Sequence, residues 1–160
     1  MMLFIHTLDK VLSGEKTQTR RIVKPGDTTL NYWRNPVKDN RYYEGSIDPI
    51  GVVRRGGRDL WMVTRDYAVQ PGRTKPAVRR ILIKSIRRED VRNISDEDVK
   101  AEGFTDKFEF MRVWISMHDR EIHKQQYWGL ESIKERPAEF YQAWVIEFVL
   151  VPNWLAESSE

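Results

Sequence analysis

The stretch of residues 77–86 constrains the fold most, because an extended chain there is apolar on both of its faces. Ile81 and Ile83 fall on one face, and Leu82 and Ile86 fall on the other. A strand of this kind must be covered on both sides, which is typical of the centre of a sheet or a barrel. We therefore expect a sheet protein with this strand in the middle.

Two further stretches predict strands around this centre. Residues 144–151 form an apolar run that ends at Pro152, and we expect the closing strand there. Residues 60–69 predict a strand that turns back through residues 70–73, where Pro and then Gly stand as a type II turn requires.

Three short helices complete the predicted elements. Thr7 can cap a first helix that Gly14 ends in the left-handed conformation. Ser95 can cap a second helix that Gly103 stops, and Thr105 can cap a third. The apolar side of the third helix comprises Phe108, Met111, Trp114 and Ile115. Several strands with only short helices predict an α+β fold, a small mixed β-barrel.

Residues 25–59 carry no clear period and contain several Pro and Gly residues, which predicts a long loop or an insertion. This stretch holds Trp33, Arg34 and Tyr43, and aromatic side chains beside arginines suit base stacking with phosphate contact. The alternative is that these side chains cover the core. With 160 residues, we expect one domain over residues 1–152, followed by a frayed tail over 153–160.

Composition excludes several classes of protein and site. No apolar run approaches the roughly 20 residues of a membrane span. The N-terminus lacks the pattern of a signal peptide, so we expect a cytoplasmic protein that does not contact a membrane. The absence of cysteine excludes disulfides and cysteine nucleophiles. His118 and His123 do not have the spacing of a helical metal pair, so we expect no metal and no cofactor.

Charge is segregated along the chain although the net charge is only +3. Residues 54–92 contain 12 Lys and Arg against 4 Asp and Glu, whereas residues 93–160 contain 7 against 14. A basic middle segment suits a polyanion such as RNA, or a nucleotide. A solvated basic surface is the alternative.

The segment Gly14-Glu15-Lys16-Thr17-Gln18-Thr19-Arg20-Arg21 is the first candidate site. If the chain keeps helical curvature, Lys16 and Thr19 project to the same side. Burial and the neighbouring arginines would then lower the pKa of Lys16, so that the neutral amine activates the hydroxyl of Thr19. Charged Lys16 and Arg21 would instead bind an anion. A solvated basic turn is the third reading, and the residues alone do not decide among the three.

Glu102 is the second candidate, because it stands at the predicted end of a helix, where the helix dipole disfavours a carboxylate. A carboxylate in that position usually has a cationic partner or a function, and Lys16 could be the partner. The alternative is an exposed glutamate beside a glycine that ends the helix.

These segments resemble the ASCH domain family. Gly14, Lys16, Thr19 and Arg21 match its G-x-K-x-x-T-x-R pattern, while residues 102–104 resemble its E-G-F stretch and 144–148 its closing strand. The resemblance implies a PUA-like fold, a small β-barrel with short helices packed around a cleft that binds RNA or modified bases. One branch of the family consists of amidohydrolases that remove the acetyl group from N4-acetylcytidine.

In that branch, the proposed catalytic residues correspond to Lys16, Thr19 and Glu102, and Arg21 would hold the motif or stabilise negative charge. The sequence departs from the branch at Arg20, where those enzymes have an apolar residue, and in its longer 25–59 segment. These departures favour a larger anionic ligand. We therefore expect Arg20, Arg21, the 25–59 side chains named above and Arg73 to contact substrate or nucleic acid. A binding module without catalysis, or a ribonuclease that uses the same cleft, is the alternative.

Overall fold

The computed structural model describes residues 2–4, 7–35, 39–44, 49–118 and 136–152, with the backbone alone for residues 3, 32–35 and 39–44. The predicted tail 153–160 and His123 lie outside these residues. The strands are β1 Met2–Leu3, β2 Gln18–Ile22, β3 Thr28–Asn35, β4 Asp39–Glu44, β5 Ile50–Arg55, β6 Arg58–Met62, β7 Asp66–Gln70, β8 Arg79–Asp90 and β9 Gln142–Leu150. The helices are α1 Leu8–Ser13, α2 Asp96–Ala101 and α3 Lys107–His118.

The strands form one branched sheet around β8. One edge of β8 pairs with β9, whose outer edge pairs with β2, and β8 also pairs with β7 and β5. Strand β5 also pairs with β3 and β6, and β3 pairs with β4; all these pairs are antiparallel. Among the described strands, only β1 and β7 pair in parallel. The α+β class is confirmed. Among the described strands, the sheet is open where the sequence predicts a closed barrel, because no pairing joins β2 to the other outer strands.

Strand β8 is central, as its two apolar faces predict, but its residues are not distributed between the two faces as the sequence predicts. The pairing of β8 with β9 shifts register between Ile83 and Ser85. Such a bulge moves the following residues to the other face of the strand. Ile86 therefore packs in the same core cluster as Ile81 and Ile83, and the prediction that it faces the opposite side is wrong.

The predicted strand 60–69 is two strands, β6 and β7. Thr64 lies between them with φ of 73°, and its N–H donates to the carbonyl of Ile83 at 2.9 Å. This bond ties the turn to β8, which a local apolar pattern cannot reveal. Gly72 lacks the positive φ of a type II turn, so the predicted turn type at 70–73 is wrong.

Residues 25–59 are mainly strands, and the prediction of a long loop is wrong for most of this stretch. Strands β3, β4 and β5 lie there, and β6 begins at Arg58. Strands β3 and β4 consist mostly of polar and aromatic residues, so no apolar alternation marks them. Their pairing partners, rather than their own pattern, define these strands.

The helix ends follow the sequence in part. Gly14 has φ of 84° and ends α1, and Ser95 Oγ accepts the Asp98 N–H at 3.1 Å, so these two predictions are confirmed. Thr7 makes no side-chain cap. Asp106, not Thr105, caps α3 by accepting the Glu109 N–H at 2.8 Å.

Two hydrophobic clusters form the core. The first lies against the sheet around β8 and β9, and includes Phe4 and Phe148. The second joins α2 and α3 to the base of β9, and includes Phe110 and Trp114. Phe108, predicted to face inward, is 69% exposed because the buried side of α3 is turned towards Phe110. The candidate site lies where these two clusters meet.

Candidate active site

Lys16, Thr19 and Glu102 converge on one cavity of about 100 Å³. They come from three different elements: the turn after α1, strand β2 and the end of α2. All three are buried, with 4%, 4% and 2% of their surfaces exposed. Burial of this degree excludes both a solvated basic turn at Lys16 and an exposed glutamate at position 102.

Backbone hydrogen bonds hold the turn that carries Lys16. The Lys16 N–H donates to the carbonyl of Lys10 at 3.0 Å, and the Thr17 N–H donates to the carbonyl of Ala101 at 2.8 Å. The carbonyl of Thr17 accepts from Phe148 N–H at 2.9 Å, after which β2 pairs with β9. The chain is thus extended at Thr19, and the helical curvature that the catalytic reading assumed past Gly14 is absent there.

Gly103 lets the end of α2 approach α1. Its φ is 91°, and a Cβ at this position would lie 3.2 Å from Lys10 Cβ and 3.4 Å from Thr7 Cγ2. A glycine is therefore needed both for the backbone conformation and for the close contact. The preceding residue, Glu102, is turned inwards towards Lys16.

Lys16 and Glu102 form a buried ion pair. The ammonium donates to Glu102 Oε2 at 2.9 Å and to the carbonyl of Glu102 at 2.6 Å, and 3% of each side chain is exposed. Burial lowers the pKa of Lys16, Glu102 opposes this shift, and Arg21 and Arg20 add to it. The direction agrees with the one expected from the sequence, because desolvation outweighs the attraction of Glu102.

Thr19 lines the same cavity as this pair, and no side-chain hydrogen bond joins it to the pair among the described residues. Within the described residues, Lys16 uses two of its three N–H donors, both on Glu102. The third donor direction is left for the Thr19 hydroxyl or for a ligand in the cavity that both residues line.

Arg20 lines the cavity and supports Glu102, and its buried guanidinium does not favour the predicted contact with nucleic acid. Its side chain is 0% exposed. Its five N–H donors bind Gln18 Oε1, Glu102 Oε1, Asp98 Oδ2 and Glu89 Oε1, the last of these twice. A guanidinium has five donors, so none remains for phosphate.

Arg21 lies on the opposite face of β2 from Arg20 and also lines the cavity, and its contact with a ligand stays a prediction. Its guanidinium carbon lies 5.1 Å from the centre of the Phe4 ring. Burial lowers the pKa of Arg21, and the side chain remains a cation at neutral pH.

The sequence reasoning missed the aromatic wall of the cavity. Phe4, Phe104, Phe110 and Trp114 line it together with His118. The spacing of 110, 114 and 118 is i, i+4, i+8 on α3, so the helical period carries this signal. The sequence analysis missed this spacing because the pattern that starts at Phe108, an exposed residue, fits a helical period equally well.

His118 adds a polar group to this wall. Its ring centre lies 4.3 Å from that of Trp114. Burial lowers the pKa of His118 to about 4, and Arg21 and Lys24 add to the shift by repulsion. The imidazole is therefore neutral at pH 7 and can both donate and accept a hydrogen bond.

The remaining predicted contacts lie elsewhere. Arg73 is exposed in the connection between β7 and β8 and does not line the cavity. Trp33 and Arg34 lie on β3 and Tyr43 lies on β4, and their side chains are outside the part that the structure describes.

Part of the basic segment 54–92 is neutralised by acidic partners. Five of its arginines form ion pairs with carboxylates: Arg54, Arg55, Arg80, Arg87 and Arg92. Other cations of the segment are exposed, among them Arg58, Arg65, Arg73, Lys75 and Lys84.

The described residues contain no group of three or more His, Asp or Glu that could hold a metal ion. No helix among them is long and apolar enough to span a bilayer.

Comparison with known proteins gives likenesses of fold alone. No family model matches the chain, and neither does any curated protein. A solved protein from Enterococcus faecalis V583, of the family model DUF984, is 13% identical with a TM-score of 0.49. An ASCH domain from Lactobacillus crispatus JV V101 is 19% identical with a TM-score of 0.48. Each match covers 89% of this chain and 68% of the other. At these values the likenesses do not bear on the function of the cavity.

Proposed function

We propose that this protein is an amidohydrolase that cleaves the acyl amide of a small acylated base or nucleoside, of the N4-acetylcytidine type. One observation carries the proposal: a buried Lys16–Glu102 pair, 2.9 Å apart, lines the same small aromatic cavity as Thr19. A lysine whose pKa is lowered by burial, placed near a hydroxyl, is the arrangement needed to activate a weak nucleophile.

The shape and lining of the cavity support a small planar ligand. About 100 Å³ is enough for the acyl end of a small ligand and too small for a polynucleotide. Phe104, Phe110 and Trp114 offer ring faces for stacking, which is typical of base recognition. Neutral His118 can form a hydrogen bond with a polar edge of the base.

The reaction begins with a shift of one proton within the ion pair. Transfer from Lys16 to Glu102 gives a neutral amine and a neutral carboxylic acid. Thr19 Oγ then attacks the acyl carbonyl carbon while its proton passes to the amine of Lys16. Arg21 lines the cavity and would stabilise the negative charge that develops on the carbonyl oxygen.

The amide bond breaks when the leaving nitrogen takes the proton from Glu102, which releases the base and leaves an ester on Thr19. A water molecule then attacks this ester and gives one proton to the Glu102 carboxylate. The Thr19 oxygen leaves with the proton held by Lys16. Acetic acid departs, and the neutral pair that began the cycle is restored.

The test is release of cytidine from N4-acetylcytidine, followed by chromatography. We expect turnover by the wild-type protein and a loss of about 10²–10⁴-fold in Lys16→Ala and Glu102→Gln, the range for general acid–base groups. Lys100→Ala and Glu97→Gln are matched controls, because both side chains are exposed on α2. Absence of turnover by a folded wild-type protein would refute the proposal.

A binding module for RNA is the second candidate, and the exposed cations of segment 54–92 support it. It requires an affinity for single-stranded RNA that falls with salt, with a slope near −0.7 for each phosphate contacted. Lys75→Ala and Arg73→Ala should weaken this binding without changing the cavity. Cleavage of the RNA in the same assay would indicate the ribonuclease version.

A further inference from the structure

The carboxylate of Glu102 is held by two cations, one on each oxygen. Lys16 binds Oε2 at 2.9 Å, and Arg20 Nη1 binds Oε1 at 3.3 Å. The two contacts fix both the position and the plane of the carboxylate. Lys16 has a role in the proposed reaction, whereas Arg20 has none so far.

Arg20 is itself rigidly held. Glu89 and Asp98 bind its Nη2 at 2.7 and 3.0 Å, and Gln18 binds its Nη1 at 3.0 Å. Arg87 extends the cluster outwards, with Nη2 at 2.8 Å from Asp98 Oδ2. The guanidinium therefore has one position, set by side chains from β2, β8 and α2.

We propose that Arg20 is a positioning residue that aligns Glu102 with Lys16 and sets the charge balance of their pair. The inference rests on the proposed function for its catalytic meaning, but the charge effect on Lys16 stands without it. A leucine or methionine at position 20 would leave one oxygen of Glu102 unbound inside the protein. A lysine would supply three donors on one atom, which cannot reach four acceptors arranged around a planar fork.

Titratable groups reach Lys16 directly or through linked ion pairs. Glu102, Arg21 and Arg20 act on it directly, and neutral His118 lines the same cavity. On α1, Lys10 pairs with Glu15. The ion pairs of Arg20 link the site to four further groups: Glu89, Asp98, Arg87 and Glu147. Ion pairs link three cations, Lys16, Arg20 and Arg87, into one cluster with four carboxylates. These are Glu89, Asp98, Glu102 and Glu147. Removal of Arg20 leaves the cluster more negative, which favours the protonated form of Lys16.

The test is an NMR titration of the Lys16 side chain in wild type, Arg20→Met and Asp98→Asn. We expect the pKa of Lys16 to rise by about one unit or more in Arg20→Met, and to fall in Asp98→Asn, which removes a negative charge. Arg80→Met is the control, because Arg80 pairs with Asp66 away from the cavity and its loss should leave Lys16 unchanged.

Shifts of the Lys16 pKa in opposite directions in Arg20→Met and Asp98→Asn support the inference. An unchanged Lys16 pKa in both variants overturns it. If Arg20→Met does not fold, Arg87→Met removes a cation from the exposed edge of the same cluster and should shift the pKa of Lys16 in the same direction by less. The titration needs no turnover, so it succeeds or fails independently of the amidohydrolase assay. If the wild type is active, the pH profile of kcat/KM in Arg20→Met should shift in the same direction as the pKa of Lys16. Arg20→Lys should not return this profile to that of the wild type.

Discussion

Glu102→Gln is the substitution that most sharply perturbs the candidate site without changing its shape. Glutamine has nearly the same volume, so it creates no cavity. It removes the only carboxylate that Lys16 contacts among the described residues, at 2.9 Å, whereas Arg20 keeps Glu89 and Asp98 as partners. The whole electrostatic cost therefore falls on a buried ammonium.

The magnitude follows from the burial of the pair. Both side chains are 3% exposed, so solvent screens the interaction little. Breaking a buried ion pair by removing one partner costs about 3–5 kcal/mol. Lys16→Met should cost less than Glu102→Gln, because Glu102 would still be held by Arg20. The double variant should cost less than the sum of the single changes by about 1–3 kcal/mol, since the uncompensated charge leaves with its partner.

The pKa of Lys16 determines how the free energy of unfolding of Glu102→Gln changes with pH. Burial lowers the pKa of Lys16, and loss of Glu102 removes the contribution that raises it. The folded Glu102→Gln protein then binds fewer protons at Lys16 than the unfolded chain does. Its free energy of unfolding should consequently rise relative to wild type as the pH increases from neutral towards the ordinary lysine pKa.

Urea denaturation followed by tryptophan fluorescence measures these free energies in the four proteins at pH 7 and pH 9. If the losses in the free energy of unfolding for Lys16→Met and Glu102→Gln were additive in the double variant, the two residues would not form a coupled buried pair. A loss below about 1 kcal/mol for Glu102→Gln would also refute the buried pair, because an exposed ion pair contributes no more than that.

Two further predictions concern the stability of the fold. Asp27 binds Arg55 and the indole N–H of Trp144, and its pKa is lowered to about 2; Asp27→Asn should cost about 2 kcal/mol at pH 7. In wild type this contribution is complete above pH ~4 and is lost as the pH falls towards 2, which acid denaturation of the two proteins measures. Gly103→Ala should cost about 1–3 kcal/mol, because its φ of 91° is strained for alanine. Gly72→Ala, which meets only the Lys75 side chain at 3.7 Å, should change the thermal midpoint little.

Glu102 is the residue of the candidate site that carries a local signal in the sequence. Glu102 places a carboxylate at the unfavourable end of α2, and such a residue requires a partner. Gly103, with its positive φ, marks the same position from the backbone side. Lys16 carries no such local signal, because a solvated turn, an anion contact and a catalytic lysine all fit the residues around it; its match to the ASCH pattern is what singles it out. A carboxylate at this end of a helix therefore predicts a cationic partner, although the sequence does not show which cation it is.

The role of Arg20 could not be predicted, because it depends on contacts far apart in the chain. Glu89 and Asp98 lie 69 and 78 residues from Arg20, on β8 and α2. From the sequence, two adjacent arginines look alike as anion contacts. Both arginines line the cavity, but the period of β2 gives them different contacts: the Arg20 guanidinium binds carboxylates, while Arg21 lies over the Phe4 ring.

The fold was predicted where apolar residues determine the strands and was missed where pairing does. Strands β8 and β9 bury their side chains and are evident in the sequence. Strands β3 and β4 have few aliphatic residues and are defined by their neighbours. The bulge that turns Ile86 inwards depends on the register with β9, which no local pattern contains.

The central claim is that Thr19 is the nucleophile, and trapping the ester tests it most directly. Wild type, Thr19→Ala and Thr17→Ala would be mixed with N4-acetylcytidine, quenched in acid within the first turnover and digested for mass spectrometry. Thr17 is the matched control, because it is exposed two residues from the site. We predict an acetyl group on Thr19 in wild type and in Thr17→Ala, and none in Thr19→Ala. Release of cytidine by Thr19→Ala at the wild-type rate, without acetylation of any protein, would contradict the account.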